Sequence, residues 1–297
     1  MIASAADESL VFLTGDLGYK ALEPLRDRLG RRFINAGVAE QNMISVAAGL
    51  ARSGLRPWTY SIAPFIYARP FEQIRNDVCL HDLPVRMVGN GGGYGYGVMG
   101  ATHHAMEDYG AMLCLQNMHA FIPAFAPDVH DIIRKLAAFP HPAYLRLGLA
   151  EEPKDMALPP YAPWRKIVAG GGATGVGGGP VSSKLIAAVR SMDESKRPSV
   201  WVLSELPIAA LPDEFLADVR RGGHLVVVEE HVAQGGVGQS LAHALLLVGH
   251  APARFSHRCA RGYVSGLYGS QTFHRRECGL DADSIVGELL TGTSHGH

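Results

Sequence analysis

Neither sign of charge prevails in this sequence, and no long apolar run interrupts it. Across 297 residues, 27 Lys and Arg stand against 28 Asp and Glu, a net charge of −1. That balance excludes the electrostatic footprint of a nucleic-acid or anionic-membrane binder. No stretch approaches the roughly 18 apolar residues of a membrane span. The opening MIASAADESL has no basic segment followed by an apolar one, as a secretory signal would. A cytoplasmic location is therefore expected. Cysteine is scarce, with Cys79, Cys114, Cys259 and Cys278 as the four. None forms a C-x-x-C pair and none stands at zinc-ligand spacing. Isolated reduced thiols and no metal ligands are expected from this chain.

What is present is ample apolar material. Hydrophobic residues make up 47% and charged residues 19%, enough for a sizeable core. The length fits about two domains. Short apolar runs alternate with helical patterns. LVFL (10–13), PWTYSI (57–62), PVRMVGN (84–90), HAFIPAF (119–125) and AYLRL (143–147) read as strands. The intervening 40–52, 65–81, 104–115 and 128–138 read as helices. In the first, Met43, Val46, Ala47 and Leu50 fall at i, i+3, i+4, i+7 and predict one apolar face. A proline-rich, charged stretch follows at 151–164 and reads as a linker. Strands then recur at KIVAGG, SVWVLSEL and HLVVVEEH, with helices at 181–192, 213–221, 237–248 and 282–291. The expected fold class is α/β, two domains each with a mostly parallel sheet flanked by helices. GGGATGVGGGP (170–180) reads as a flexible turn between strand and helix; a phosphate cradle is the alternative.

Chemistry concentrates in three segments. In RFINAGVAEQNMISVAAGLARSG (32–54), Glu40 sits in the first turn of a helix, where the dipole favours a carboxylate. PWTYSIAPFIYARPFEQIRNDVCLHDLPVRMV (57–88) runs from a strand into a helix that carries Arg69, Phe71, Glu72, Gln73, Ile74 and Arg75. NGGGYGYGVMGATHHAMEDYGAM (90–112) joins a Gly-rich loop to paired histidines, His103 and His104. Taken singly, each has a structural explanation: a helix-start acid, a core aromatic, a buried histidine.

Together they resemble the pyrimidine-binding domain of transketolases and deoxyxylulose-phosphate synthases. The G-[IV]-x-E-[QH] turn, the R-x-[YF]-[DE]-Q-I-R helix and the loop ending in T-H-Q followed by E-D carry the likeness. It extends to HPAYLRLG (141–148), to HLVVVEEHVAQGGVGQSLAHALL (224–246) and to GLYGSQTFHRRECGLDADSIVGELL (266–290). The resemblance implies a pyrimidine-binding domain over 1–150, a linker over 151–164 and a transketolase C-terminal domain over 165–297. It also implies thiamine diphosphate as cofactor. Glu40 would face a ring nitrogen of its aminopyrimidine from among apolar walls, and the carboxyl must exchange a proton there. Val38, Ile62 and Phe65 would wall the ring, with an aliphatic at Ile62 where the family has an aromatic. Asp16, in LTGDLGY, would lie near the cofactor; a local turn cap is its other reading. His103 would meet the donor's oxygen and shuttle a proton, and His104 replaces the usual glutamine. Arg146 would contact a phosphate, which a guanidinium fits bidentately; an exposed strand-end arginine is the alternative.

The likeness has gaps. Val98 and Met99 replace the family's Glu-Asp, and a basic residue twelve positions before the loop histidine falls on Gly91. The acceptor side therefore looks remodelled. The G-D-G…N motif that holds diphosphate and Mg2+ is missing. The resemblance thus implies half of a split enzyme, with Mg2+ held mainly by a partner subunit that carries the diphosphate-binding domain, in an α2β2 assembly acting on sugars or sugar phosphates. The β subunit of a 2-oxo acid dehydrogenase, a deoxyxylulose-phosphate synthase-like enzyme and a non-catalytic scaffold are the competing readings.

Overall fold

The computed structural model describes residues 6–153 and 156–290. The first half supplies β1 (Leu10–Thr14), β2 (Phe33–Asn35), β3 (Arg56–Ile62), β4 (Arg86–Asn90), β5 (His119–Phe121) and β6 (Ala143–Leu147). Its helices are α1 (Glu23–Leu29), α2 (Glu40–Arg52), α3 (Ala63–Tyr67), α4 (Phe71–Gln73), α5 (Asp108–Leu113) and α6 (Asp128–Ala137). The second half supplies β7 (Trp164–Val168), β8 (Thr174–Gly178), β9 (Ser199–Leu203), β10 (Glu205–Leu206), β11 (His224–Glu229) and β12 (Arg254–Arg258). Around them lie α7 (Ser182–Arg190), α8 (Asp213–Gly222), α9 (Val237–Leu247), α10 (Gln271–Glu277) and α11 (Ala282–Leu290).

Two sheets result, as the alternation of strands and helices predicts. The first runs β10-β5-β6-β4-β3-β1-β2 and is parallel except for β10, which pairs antiparallel with β5. The second runs β12-β11-β8-β9-β7, with only β7 antiparallel. Strand β10 comes from the second half of the chain, so the first sheet ends on a strand borrowed across the expected linker. Every residue of β1 is buried. Its side chains alternate between faces. Val11 and Leu13 pack with Met43, Ile44 and Ala47 of α2 on one side. Leu10 and Phe12 pack with Leu25 of α1 and Ile132 and Leu136 of α6 on the other. Among the described residues no helix is long and apolar enough to cross a membrane. All four cysteines are free.

Four local expectations need correction. The buried stripe of α2 is Met43, Ile44, Ala47, Ala48 and Ala51, whereas Val46 is 41% exposed. The apolar period holds, and its phase differs by about a residue. The helix expected over 65–81 is broken: α3 ends at Tyr67, Pro70 precedes α4, and a π turn over Ile74–Cys79 follows. Proline lacks the N–H that a continuous helix would need there. The helix expected over 104–115 begins only at Asp108, because His104 and Ala105 are held in extended contact with the loop before them. Finally, the glycine stretch is not a turn. Thr174–Gly178 is β8, a fully buried central strand of the second sheet. A Cβ at Gly177 would stand 2.4 Å from Ser182 Oγ, and one at Gly175 would stand 3.0 Å from Leu185. The glycines let α7 lie directly on the strand.

Candidate active site

The carboxyl ends of β1, β3 and β4 open on one side of the first sheet, where parallel α/β sheets bind ligands. Gly15 follows β1, Ser61 and Ile62 close β3, and Asn90 closes β4. The N-terminus of α2, the start of α3 and the loop over 91–107 surround this edge.

Glu40 is the first residue of α2 and only 3% exposed. Its Oε1 accepts from Ser61 Oγ at 3.1 Å, and its Oε2 accepts from Arg69 Nη1 at 3.0 Å. The helix dipole adds to both. Gly15 leaves room beneath it, since a Cβ there would lie 3.3 Å from both Glu40 Oε1 and Ser61 Oγ. The sequence suggests apolar walls around Glu40. Instead an ion pair and a hydroxyl satisfy it, as a buried carboxylate requires.

Arg69 also stacks. Its guanidinium carbon lies 3.7 Å from the ring centre of half-buried Phe65. One flat cation therefore rests on Phe65 and donates to Glu40 at the same time. The His103 ring meets Phe65 edge-on, with centroids 5.3 Å apart. Thr102 Oγ1 holds His103 Nδ1 at 2.9 Å, which turns the imidazole and leaves Nε2 for other work. Glu40, Phe65 and His103 are thus brought together, linked through Arg69. Ile62 is 8% exposed at the turn into α3, whereas Val38 is 74% exposed.

The other expected residues stand elsewhere. Asp16, at φ 59°, accepts from Asn35 Nδ2 at 2.8 Å on the exposed loop after β1. It lines a cleft of about 460 Å³ together with Thr14, Tyr19, Arg26 and Asn35, and that cleft takes in neither Glu40 nor His103. His104 is buried, with Nε2 2.8 Å from the Gly97 carbonyl and Nδ1 2.8 Å from the Tyr263 hydroxyl. Both ring nitrogens are spent on tying the loop to the second half of the chain, and burial holds its pKa below the ordinary value. Arg146 differs most from expectation. It is 3% exposed and pairs with Asp108 at 2.8 Å. Its Nη2 donates to the carbonyls of Ala105 and Glu230 at 2.9 and 2.8 Å. A guanidinium so enclosed ties strand, loop and second half together and presents no open fork to an anion.

Sequence reasoning overlooks Ser61 and Arg69. Arg69 lies within the helix pattern but serves there only to count positions. Ser61 carries no signal beyond its place next to Ile62. Among the described residues no group of three or more His, Cys, Asp or Glu is arranged to hold a metal.

Comparison with known proteins agrees with this arrangement. Residues 3–150 match the profile of the transketolase pyrimidine binding domain. The chain is 31% identical over 265 residues to one subunit of the apulose-4-phosphate transketolase of Actinobacillus succinogenes, covering 88% of this chain and 84% of that one. It is 25% identical to the 1-deoxy-D-xylulose-5-phosphate synthase of Clostridium perfringens, covering 96% of this chain but 46% of that enzyme. Among solved structures, a split gene transketolase described as an inactive β4 tetramer superposes with a TM-score of 0.82 at 27% identity, covering 98% and 94% of the two chains. On the identity and near-full mutual coverage of these relatives, the chain belongs to the transketolase family as the C-terminal subunit of a split enzyme.

Proposed function

We propose that this chain supplies the pyrimidine side of a thiamine diphosphate site and, with a partner subunit, moves a two-carbon ketol unit between sugars or sugar phosphates. The observation that carries the reading is the seat of Glu40, Ser61 and Phe65. A guanidinium there already stacks on Phe65 and donates to the buried carboxylate. An aminopyrimidine needs the same two contacts, a flat apolar face and an acid at its edge. The residues present therefore fit the cofactor, with Glu40, Phe65, Ile62 and Val38 as the groups that would hold its ring. When bound, thiamine diphosphate supplies the nucleophilic carbon of ketol transfer.

This chain's own work is proton handling and positioning. Glu40 takes and returns a proton at Oε2, which requires Arg69 to release that oxygen. Ser61, bonded to Oε1, keeps the carboxyl from turning away, and Gly15 leaves it room. His103, oriented by Thr102, exchanges a proton with a substrate oxygen through Nε2. Asp16, whose carboxyl holds Asn35, would lie near the cofactor in this reading. Arg146 and His104 act at one remove by holding the loop that carries His103.

Residues 1–150 form the pyrimidine-binding domain in this reading, 151–164 the linker and 165–297 the C-terminal domain. A partner with the diphosphate-binding domain would bring Mg2+, and two of each chain would form an α2β2 enzyme in the cytoplasm. Apulose 4-phosphate, on which the Actinobacillus relative is named to act, is the first donor to test. Glu40→Gln in the assembled enzyme abolishes ketol transfer while circular dichroism and melting stay close to wild type. Retention of transfer by that variant would show the assigned role of Glu40 to be wrong.

A further inference from the structure

The loop after β4 folds back on itself. Gly91 has φ +77°, and the amides of Gly91 and Gly92 both donate to the Leu147 carbonyl at 3.0 Å. A Cβ on Gly95 would stand 3.0 Å from the Gly91 backbone. This reversal lays the Tyr96 ring over Gly91, so that a Cβ at 91 would lie 2.2 Å from its Cε2. Only glycine permits both the backbone and the ring at this point. Tyr96 is then pinned at its far end, where Asn90 Nδ2 donates to its hydroxyl at 3.1 Å. Its ring centre is 5.7 Å from that of His103. The phenol therefore fills the space over the end of β4, next to the residue placed nearest the substrate.

Asn90 bonds the Tyr96 hydroxyl, and Thr102 holds His103, whose ring neighbours that of Tyr96. The Arg69 guanidinium lies on Phe65 and pairs with Glu40. A wall of this kind limits length and offers hydroxyls, where a cationic pocket would reach for a charged chain end.

We propose that Tyr96 is a specificity-determining residue whose ring, held between Gly91 and Asn90, limits the length of the acceptor aldehyde that can stand beside His103. The proposal rests on the ketol-transfer reading above. It names short aldehydes and short aldoses as the preferred acceptor class, with longer chains excluded by contact with the ring.

The test uses this chain assembled with its diphosphate-binding subunit. Glycolaldehyde and ribose 5-phosphate serve as short and long acceptors. Donor cleavage is followed separately, by ferricyanide reduction without acceptor. The readout is the ratio of kcat/KM for the long acceptor over the short one, in which the amount of active enzyme cancels. Tyr96→Ala is expected to raise that ratio at least about tenfold, the scale on which pocket size discriminates. Tyr96→Phe keeps the ring and leaves the ratio near wild type. Calorimetric binding of ribose 5-phosphate to the same proteins, without donor, strengthens in Tyr96→Ala. Should Tyr96→Ala fail to fold, Tyr96→Leu removes the ring while keeping an apolar side chain in the loop and shifts the ratio in the same direction. An unchanged ratio in the variant that lacks the ring, with donor cleavage present, overturns the role of Tyr96. Absence of donor cleavage in the wild type overturns the ketol-transfer reading itself.

Discussion

The carboxylate on which the proposed function rests is held in place through both of its oxygens. Glu40 has a hydroxyl on one oxygen and a guanidinium on the other, at the positive end of α2. The Arg69 side chain is 43% exposed, so water screens the pair. Arg69→Ala is accordingly expected to cost the isolated chain about 1 kcal/mol, read from urea unfolding. A loss several times larger would mean that the pair is a structural strut and not a contact that can open. His103→Ala, by contrast, leaves the fold intact and lowers kcat by roughly 100-fold to 10,000-fold, the range for a lost acid–base group. A variant near wild-type rate would remove His103 from the proton path. Glu40, Phe65 and His103 are legible in the sequence because short, local motifs position them. The settings of Arg146 and His104 are not. Their partners, Asp108, Glu230 and Tyr263, lie as far as 159 residues away, and only folding brings them together.

Two elements show where sequence patterns mislead and what they cost. Strand β8 reads as a turn because glycine is depleted from strands in general. Here the absence of side chains is what lets α7 approach. Gly177→Val puts methyls into the Ser182 side chain and is expected to destabilise by about 1–3 kcal/mol, as overpacking does. A neutral effect in thermal or urea unfolding would mean that α7 does not pack as described. The second element is the latch under the loop. His104 bridges the Gly97 carbonyl and Tyr263, while His274 stacks on Tyr94 and accepts from Gly269 N–H. Burial lowers both pKa values from 6.5. Below pH 6.5 the unfolded chain thus binds more protons than the folded one, so this share of stability is full above that pH and is lost as pH falls through the folded values. His104→Gln removes part of the dependence. Urea midpoints taken above and below pH 6.5 should differ less in the variant than in the wild type, and an equal difference would exclude His104 from the effect.

At the scale of the molecule, the two halves meet through charge and backbone. Glu230 accepts from the Tyr94 amide at 2.7 Å and from Gln271 and Arg275, and Arg146 donates to its carbonyl. The loop that carries His103 is therefore anchored on the second half, which fixes the site from outside the first sheet. Two α/β halves are legible from alternating strands and helices. The borrowed strand β10 is not, since two residues carry no period. On the site side Val38, Val98 and Met99 are exposed, as a surface awaiting the proposed partner would be. The measurement that tests the central claim most directly is calorimetry of thiamine diphosphate with Mg2+, on this chain alone and on this chain assembled with its partner. The account predicts binding only in the assembly, weakened by Glu40→Gln. Tight binding by this chain alone, or none by the assembly, would contradict it.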